Sequence, residues 1–117
     1  MPCVFCTLDA SHILAQNDAF VAIRDKHPVA RGHSLIVSKR HVETYFELDQ
    51  EEQTLLHQLA LQVKAMLDEE YAPAGYNLAM NCGKAAGQSV MHFHMHIIPR
   101  YGKGKKGALR RSRESVF

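Results

Sequence analysis

Residues 87–100 read GQSVMHFHMHIIPR, and the fold turns on how this stretch is read. Three histidines, His92, His94 and His96, stand at every second position, with Phe93, Met95 and Ile97 interleaved. Successive side chains of a β-strand point to opposite faces. A strand over Val90–Pro99 therefore puts the three imidazoles on one face, about 7 Å apart in steps of two residues. The apolar residues fall on the other face, where they can pack under a helix. Pro99 is expected to end the strand.

Working outward, CGKAAG at residues 82–87 is a glycine-bearing turn, and YNLAMN at Tyr76–Asn81 reads as the strand before it. The two strands form an expected antiparallel hairpin. Upstream, Asp49 is a good helix N-cap, and Glu52 three residues on completes a capping-box pattern. Leu56, Leu59, Ala60, Val63, Met66 and Leu67 keep helical spacing along one apolar face. The helix is expected to end near Tyr71, before Pro73 and Gly75. Before it, FVAIR (Phe20–Arg24) and SLIVS (Ser34–Ser38) read as strands around a loop over Asp25–Gly32. SLIVS is apolar enough to be central. The order, mainly β then α then β, predicts an α+β domain with one long helix on an antiparallel sheet.

The chain has 117 residues, 46% apolar and 22% charged, which allows a single hydrophobic core. No run approaches the roughly 18 apolar residues that span a bilayer, so no membrane association is expected. MPCVFCTLDASH lacks the basic and apolar regions of a secretory signal, and a cytoplasmic location is expected. The odd set Cys3, Cys6 and Cys82 argues against a disulfide scaffold. Net charge is +2, unevenly spread: residues 100–117 carry seven Lys/Arg against one Glu, and the rest is acidic. Residues 102–117 form a basic tail whose glycines favour flexibility, and which is expected to meet anions or RNA if it meets anything.

Near neutral pH a row of imidazoles can serve as nucleophile, proton donor or metal ligand. Three neighbours resist being charged together, so at least one stays neutral. Gly87 allows close backbone approach, and Gln88 and Ser89 offer an amide and a hydroxyl to phosphate oxygens. Asn81 and Gly83 face them. Together these read as a pocket for a phosphate ester beside a histidine nucleophile. A catalytic metal held jointly by the three histidines is disfavoured, because a regular strand spreads them over about 14 Å.

His92-Phe-His94-Met-His96-Ile-Ile resembles the His-φ-His-φ-His-φ-φ signature of the histidine triad (HIT) superfamily. Cys3–Cys6, Gly32–His41, Tyr76–Leu78 with Asn81 and Gly83, and Gly87–Val90 are also similar to family segments. The resemblance implies a HIT domain over residues 1–101, with a sheet of about five strands. It implies a hydrolase or transferase acting on P–N or phosphoanhydride bonds of a purine nucleotide. Substrates would be nucleoside phosphoramidates or dinucleoside polyphosphates, with AMP or another NMP released. By resemblance His94 is the nucleophile that takes the nucleotidyl group, aimed by the His92 carbonyl. His96 meets the phosphate or leaving group, and Gln88, Ser89 and the backbone at Gly87 and Val90 hold phosphoryl oxygens. His33 is a further active-site histidine, Asp25 contacts the ribose, and Asn81 lies near the nucleotide. The family also implies a homodimer. A non-catalytic nucleotide sensor using the same pocket is the competing reading.

Cys3 and Cys6 form a C-x-x-C pair that one metal can hold. Some HIT proteins, by resemblance, bind zinc with two such cysteines, a histidine at the place of His41 and the first triad histidine, here His92. A closed Cys2His2 set would be structural, and no catalytic metal is expected.

Overall fold

The computed structural model describes residues 4–102. Cys3 and most of the basic tail lie outside the described residues. Five strands form one antiparallel sheet in the order β1-β2-β3-β5-β4: β1 Ile13–Gln16, β2 Phe20–Arg24, β3 Ser34–Ser38, β4 Gly75–Ala79 and β5 His94–Arg100. One helix, α1 (Gln50–Tyr71), packs on it. Among the described residues no helix is long and apolar enough to cross a membrane.

The helix begins as its sequence predicts. The Glu52 N–H donates to Asp49 Oδ1 at 2.8 Å, and the Asp49 N–H donates to Glu52 Oε1 at 2.9 Å. These bonds satisfy donors that the first turn would otherwise leave bare. Leu56, Leu59, Val63 and Leu67 are buried against Phe20, Ala22, Ile36, Met95 and Ile97, while Ala60 and Met66 sit half-buried at the edge. The far end is capped by Ala72 in the left-handed region, φ +47°, where its N–H donates to the Asp68 carbonyl. An alanine there carries a Cβ penalty that glycine avoids. Ala72→Gly is therefore expected to raise stability by roughly 0.5–1 kcal/mol. An unchanged or lower urea midpoint would contradict that reading of the cap.

The sheet has two differently dressed faces. Its second face carries Val21, Ile23, Leu35 and Val37, joined by Ile13 of β1 and by Phe5 and Leu8 from the N-terminal segment. That segment makes two single turns of 3-10 helix, Val4–Thr7 and Ala10–His12, in place of a second layer. Strand β1, four residues long, escaped individual recognition in the sequence. It is pinned by Asn17, whose Oδ1 accepts from the Ala19 and Phe20 N–H groups and whose Nδ2 donates to the Leu55 carbonyl of α1.

The ends of the last two strands differ from the sequence reading. Strand β4 stops at Ala79, not Asn81. Strand β5 starts at His94, not Val90, and runs to Arg100. The Phe93 N–H donates to the Val42 carbonyl at 2.7 Å, beyond the end of β3. The backbone before His94 therefore follows the chain that leaves β3. Pro99 lies within β5, opposite Tyr76 of β4 and past the Ser34–Ile97 end of the β3 pairing. A proline without an N–H is tolerated where one side of the strand has no ladder.

Candidate active site

Antiparallel register sets the histidines. His94 pairs with Val37 and His96 with Leu35, both residues of the face that α1 leaves uncovered. His92 does not join them in an exposed row. It precedes β5 and is fully buried. Its Nε2–H donates to the Ser38 carbonyl at 2.7 Å, so the neutral ring turns the lone pair of Nδ1 the other way.

The next carbonyl organises the second ring. His94 Nδ1–H donates to the His92 carbonyl at 2.8 Å. A carbonyl only accepts, so the proton resides on Nδ1 and Nε2 keeps its lone pair. The third ring is set by a longer chain. The Val29 N–H donates to His33 Nδ1 at 3.2 Å, which leaves the proton of neutral His33 on Nε2. That Nε2–H donates to His96 Nδ1 at 2.9 Å. His96 therefore carries its own proton on Nε2. Neighbouring rings thus present opposite functions: a lone pair on His94 and an N–H on His96.

Burial keeps His33, His92 and His96 neutral. It pushes His96 down to about 4, with the charges of His33 and His94 adding and Asp25 opposing. His33 and His92 are lowered, chiefly by burial as well. The unfolded chain, with histidines near 6.5, takes up protons that the folded chain refuses between about 6.5 and 4. Stability is then fully present above pH 6.5 and is lost as the pH falls toward 4. Melting temperatures are expected to be flat above neutrality and to drop across that window, and His96→Gln should flatten the drop. An equal drop in that variant would contradict the assignment.

In front of His94 and His96 lies a pocket of about 760 Å³, within the size range of small-molecule sites. One wall is apolar: Phe5, Leu8, Leu14, Ile23 and Leu35. Another is the 81–90 segment, contributing Asn81, Gly87, Ser89 and Val90. Asp25 stands at the end of β2, its Oδ1 accepting from the His27 N–H and its Oδ2 3.4 Å from His33 Nε2.

Two expected site residues sit behind this surface. His33 is buried and meets the pocket wall through His96 and Asp25. Gln88, expected to touch phosphate, is buried, and its amide is spent on backbone. Its Oε1 accepts from the Gly83 N–H at 2.7 Å, and its Nε2 donates to the Glu43 and Val90 carbonyls. It therefore braces the loop that presents Ser89 and Val90. The sequence reading passed over Phe5 and the Val29 amide, and only Phe5's place between two cysteines hinted at a role.

At the other end of His92, Cys6 Sγ lies 3.1 Å from His41 Nδ1 and 3.4 Å from His92 Nδ1, and the two Nδ1 atoms are 3.1 Å apart. Corners of a zinc tetrahedron with such ligands are about 3.3–3.6 Å apart, given bonds of about 2.3 Å to sulfur and 2.0–2.1 Å to nitrogen. The donor set fits a metal. Arg40 anchors the neighbouring chain by donating to both Glu52 carboxylate oxygens. Asp25, His33 and His96 also bring three donor atoms together, but His33 presents a proton to that cluster, which suits a hydrogen-bond relay.

The HIT domain model matches residues 8–103. The chain belongs to the HIT family. Its HIT relatives include "Protein hit" of Bacillus subtilis, 37% identical over 106 residues, covering 87% of this chain and 73% of that one. A solved structure of a zinc-bound histidine triad family protein from Mycobacterium smegmatis is similar at TM-score 0.77 and 26% identity, covering 97% and 96% of the two chains. A histidine triad nucleotide-binding protein from Sulfolobus tokodaii, described as hypothetical, matches at TM-score 0.74 and 28% identity over 88% and 78%. The five-stranded antiparallel sheet with one long helix is the HIT fold, as the sequence reading expected.

Proposed function

We propose that this HIT protein is a nucleotide hydrolase or transferase acting at the α-phosphate of a nucleoside phosphoramidate or dinucleoside polyphosphate. The observation that carries the proposal is the 2.8 Å bond from His94 Nδ1–H to the His92 carbonyl, which leaves Nε2 of this pocket-lining ring unprotonated. That lone pair attacks phosphorus, a P–N bond forms, and the bond to the leaving group breaks. The leaving group departs with the electron pair, and His96 Nε2–H donates a hydrogen bond to it. Water then attacks the nucleotidyl-histidine, the P–N bond breaks, and the nucleoside monophosphate leaves with His94 restored.

Each remaining residue has a physical task. The Val29 amide and His33 hold the tautomer of His96. Ser89 and the backbone at Gly87 and Val90 line the wall where charge develops on the phosphoryl oxygens. Asp25 would accept from ribose hydroxyls, and the apolar wall suits a purine. The two exposed apolar side chains near the sheet's β4 edge, Leu78 and Met80, favour a homodimer joined there.

Cys6, His41 and His92 would hold zinc, with Cys3 as the fourth ligand. Bound there, zinc would cross-link the N-terminal segment to the chain entering β5, a structural role. The test of the proposal is a rapid-quench single turnover with an α-labelled dinucleoside polyphosphate or phosphoramidate. Label should appear on His94. Binding without transfer would identify a nucleotide sensor.

A further inference from the structure

Phe5 lies inside the Cys3–Cys6 step, next to Cys6, and its ring touches both centres described above. Its centroid is 5.1 Å from that of His94 at a tilt of 57°, and 5.9 Å from that of His92, nearly edge-on. The same ring lines the nucleotide pocket and packs on the uncovered sheet face. We infer that Phe5 couples the metal centre to the pocket: the metal holds the turn that presses this aromatic wall against the nucleophile. The inference rests on the nucleotide and zinc readings above and goes beyond them by making metal occupancy a control on nucleotide affinity.

The physical case begins with the turn itself. Val4–Thr7 is one turn of 3-10 helix, too short to hold its shape by its own hydrogen bonds. What fixes it to the sheet is the Cys6 cluster with His41 and His92, together with apolar packing by Phe5 and Leu8. Cys6 and Phe5 are adjacent, so a bond at Cys6 Sγ restricts where the ring can sit. Without that bond the packing alone must order the turn against its chain entropy. When the turn lifts, the pocket loses a wall and His94 loses a ring neighbour. The Nδ1–H bond from His94 to the His92 carbonyl does not involve Phe5. The loss should therefore appear in nucleotide affinity more than in the rate of the bound complex.

The test is a thermodynamic cycle on the full chain, with AMP as the probe in titration calorimetry and zinc content measured alongside. Zinc-depleted and zinc-loaded forms of the wild type, Phe5→Leu and Phe5→Ala are compared. Depletion is expected to weaken AMP binding to the wild type roughly tenfold, the scale of one aromatic contact. In the Phe5 variants the loaded form is already weakened, and depletion should add less than about twofold. Linkage demands the reciprocal effect: saturating AMP should tighten zinc binding by the same factor in the wild type but not in Phe5→Leu. The reciprocal arm begins from the loaded protein and does not require the depleted form to stay folded. Equal tenfold losses in wild type and variants would overturn the coupling, as would an AMP affinity indifferent to zinc in the wild type. Failure of the zinc-loaded wild type to bind AMP at all would instead strike the nucleotide reading, and the coupling with it.

Discussion

Replacing His94 with asparagine or alanine is expected to cut kcat/KM at least a hundredfold, about 2.7 kcal/mol of lost transition-state stabilisation. The melting temperature should barely move. The His94 ring is half-buried at the pocket and, among the described residues, its polar bond runs to the His92 carbonyl two residues away, so it holds no strand together. Neither alanine nor asparagine can supply the imidazole lone pair that the proposed mechanism uses to form the P–N bond. The variant should still bind AMP, because the apolar wall and the 81–90 segment remain. Retention of more than about one per cent of kcat/KM would remove His94 from the nucleophile's role. Covalent label surviving in the variant would point to a different acceptor.

Removing the metal, or one of its ligands by Cys6→Ser, is expected to be the largest blow to stability. A site filled at a thousandfold its dissociation constant contributes about 4 kcal/mol, which corresponds to roughly 20 °C in melting temperature for a chain of this size. The arrangement makes the effect more than local. His92 is fully buried and joins the Cys6–His41 cluster to the Ser38 carbonyl at the end of β3. Its carbonyl in turn orients His94. Stoichiometric zinc in the purified protein, lost on chelation together with the stability, is the expected result. Absence of bound zinc, or a melting curve indifferent to chelation, would sink it.

Helix α1 was legible because its signals are local: a cap at Asp49, its reciprocal partner Glu52, and four leucine and valine positions on one face. The period of two across His94, Met95, His96 and Ile97 was legible for the same reason, since alternation alone decides which side each residue takes. The pattern continues unbroken through His92, and there it misled. The Phe93 carbonyl still accepts from the Ser38 N–H at the end of β3, but its N–H turns to Val42, a residue some fifty positions earlier, and nothing local records that partner. Gln88 shows the same limit. Beside a glycine and a serine it reads as a phosphate ligand, and only the folded chain brings the Gly83 amide and the Glu43 carbonyl to its two ends. Phe5 passed unremarked because the rings it meets lie almost ninety positions away.

Strands β2 and β3 alternate between two employers. Ala22 and Ile36 answer to the helix, while Ile23 and Leu35 answer to whatever occupies the cleft. Since adjacent residues serve separate layers, drift at one set leaves the other undisturbed. A lineage built on this plan can trade one small-molecule preference for another by altering every second side chain, without reopening the question of whether the chain folds.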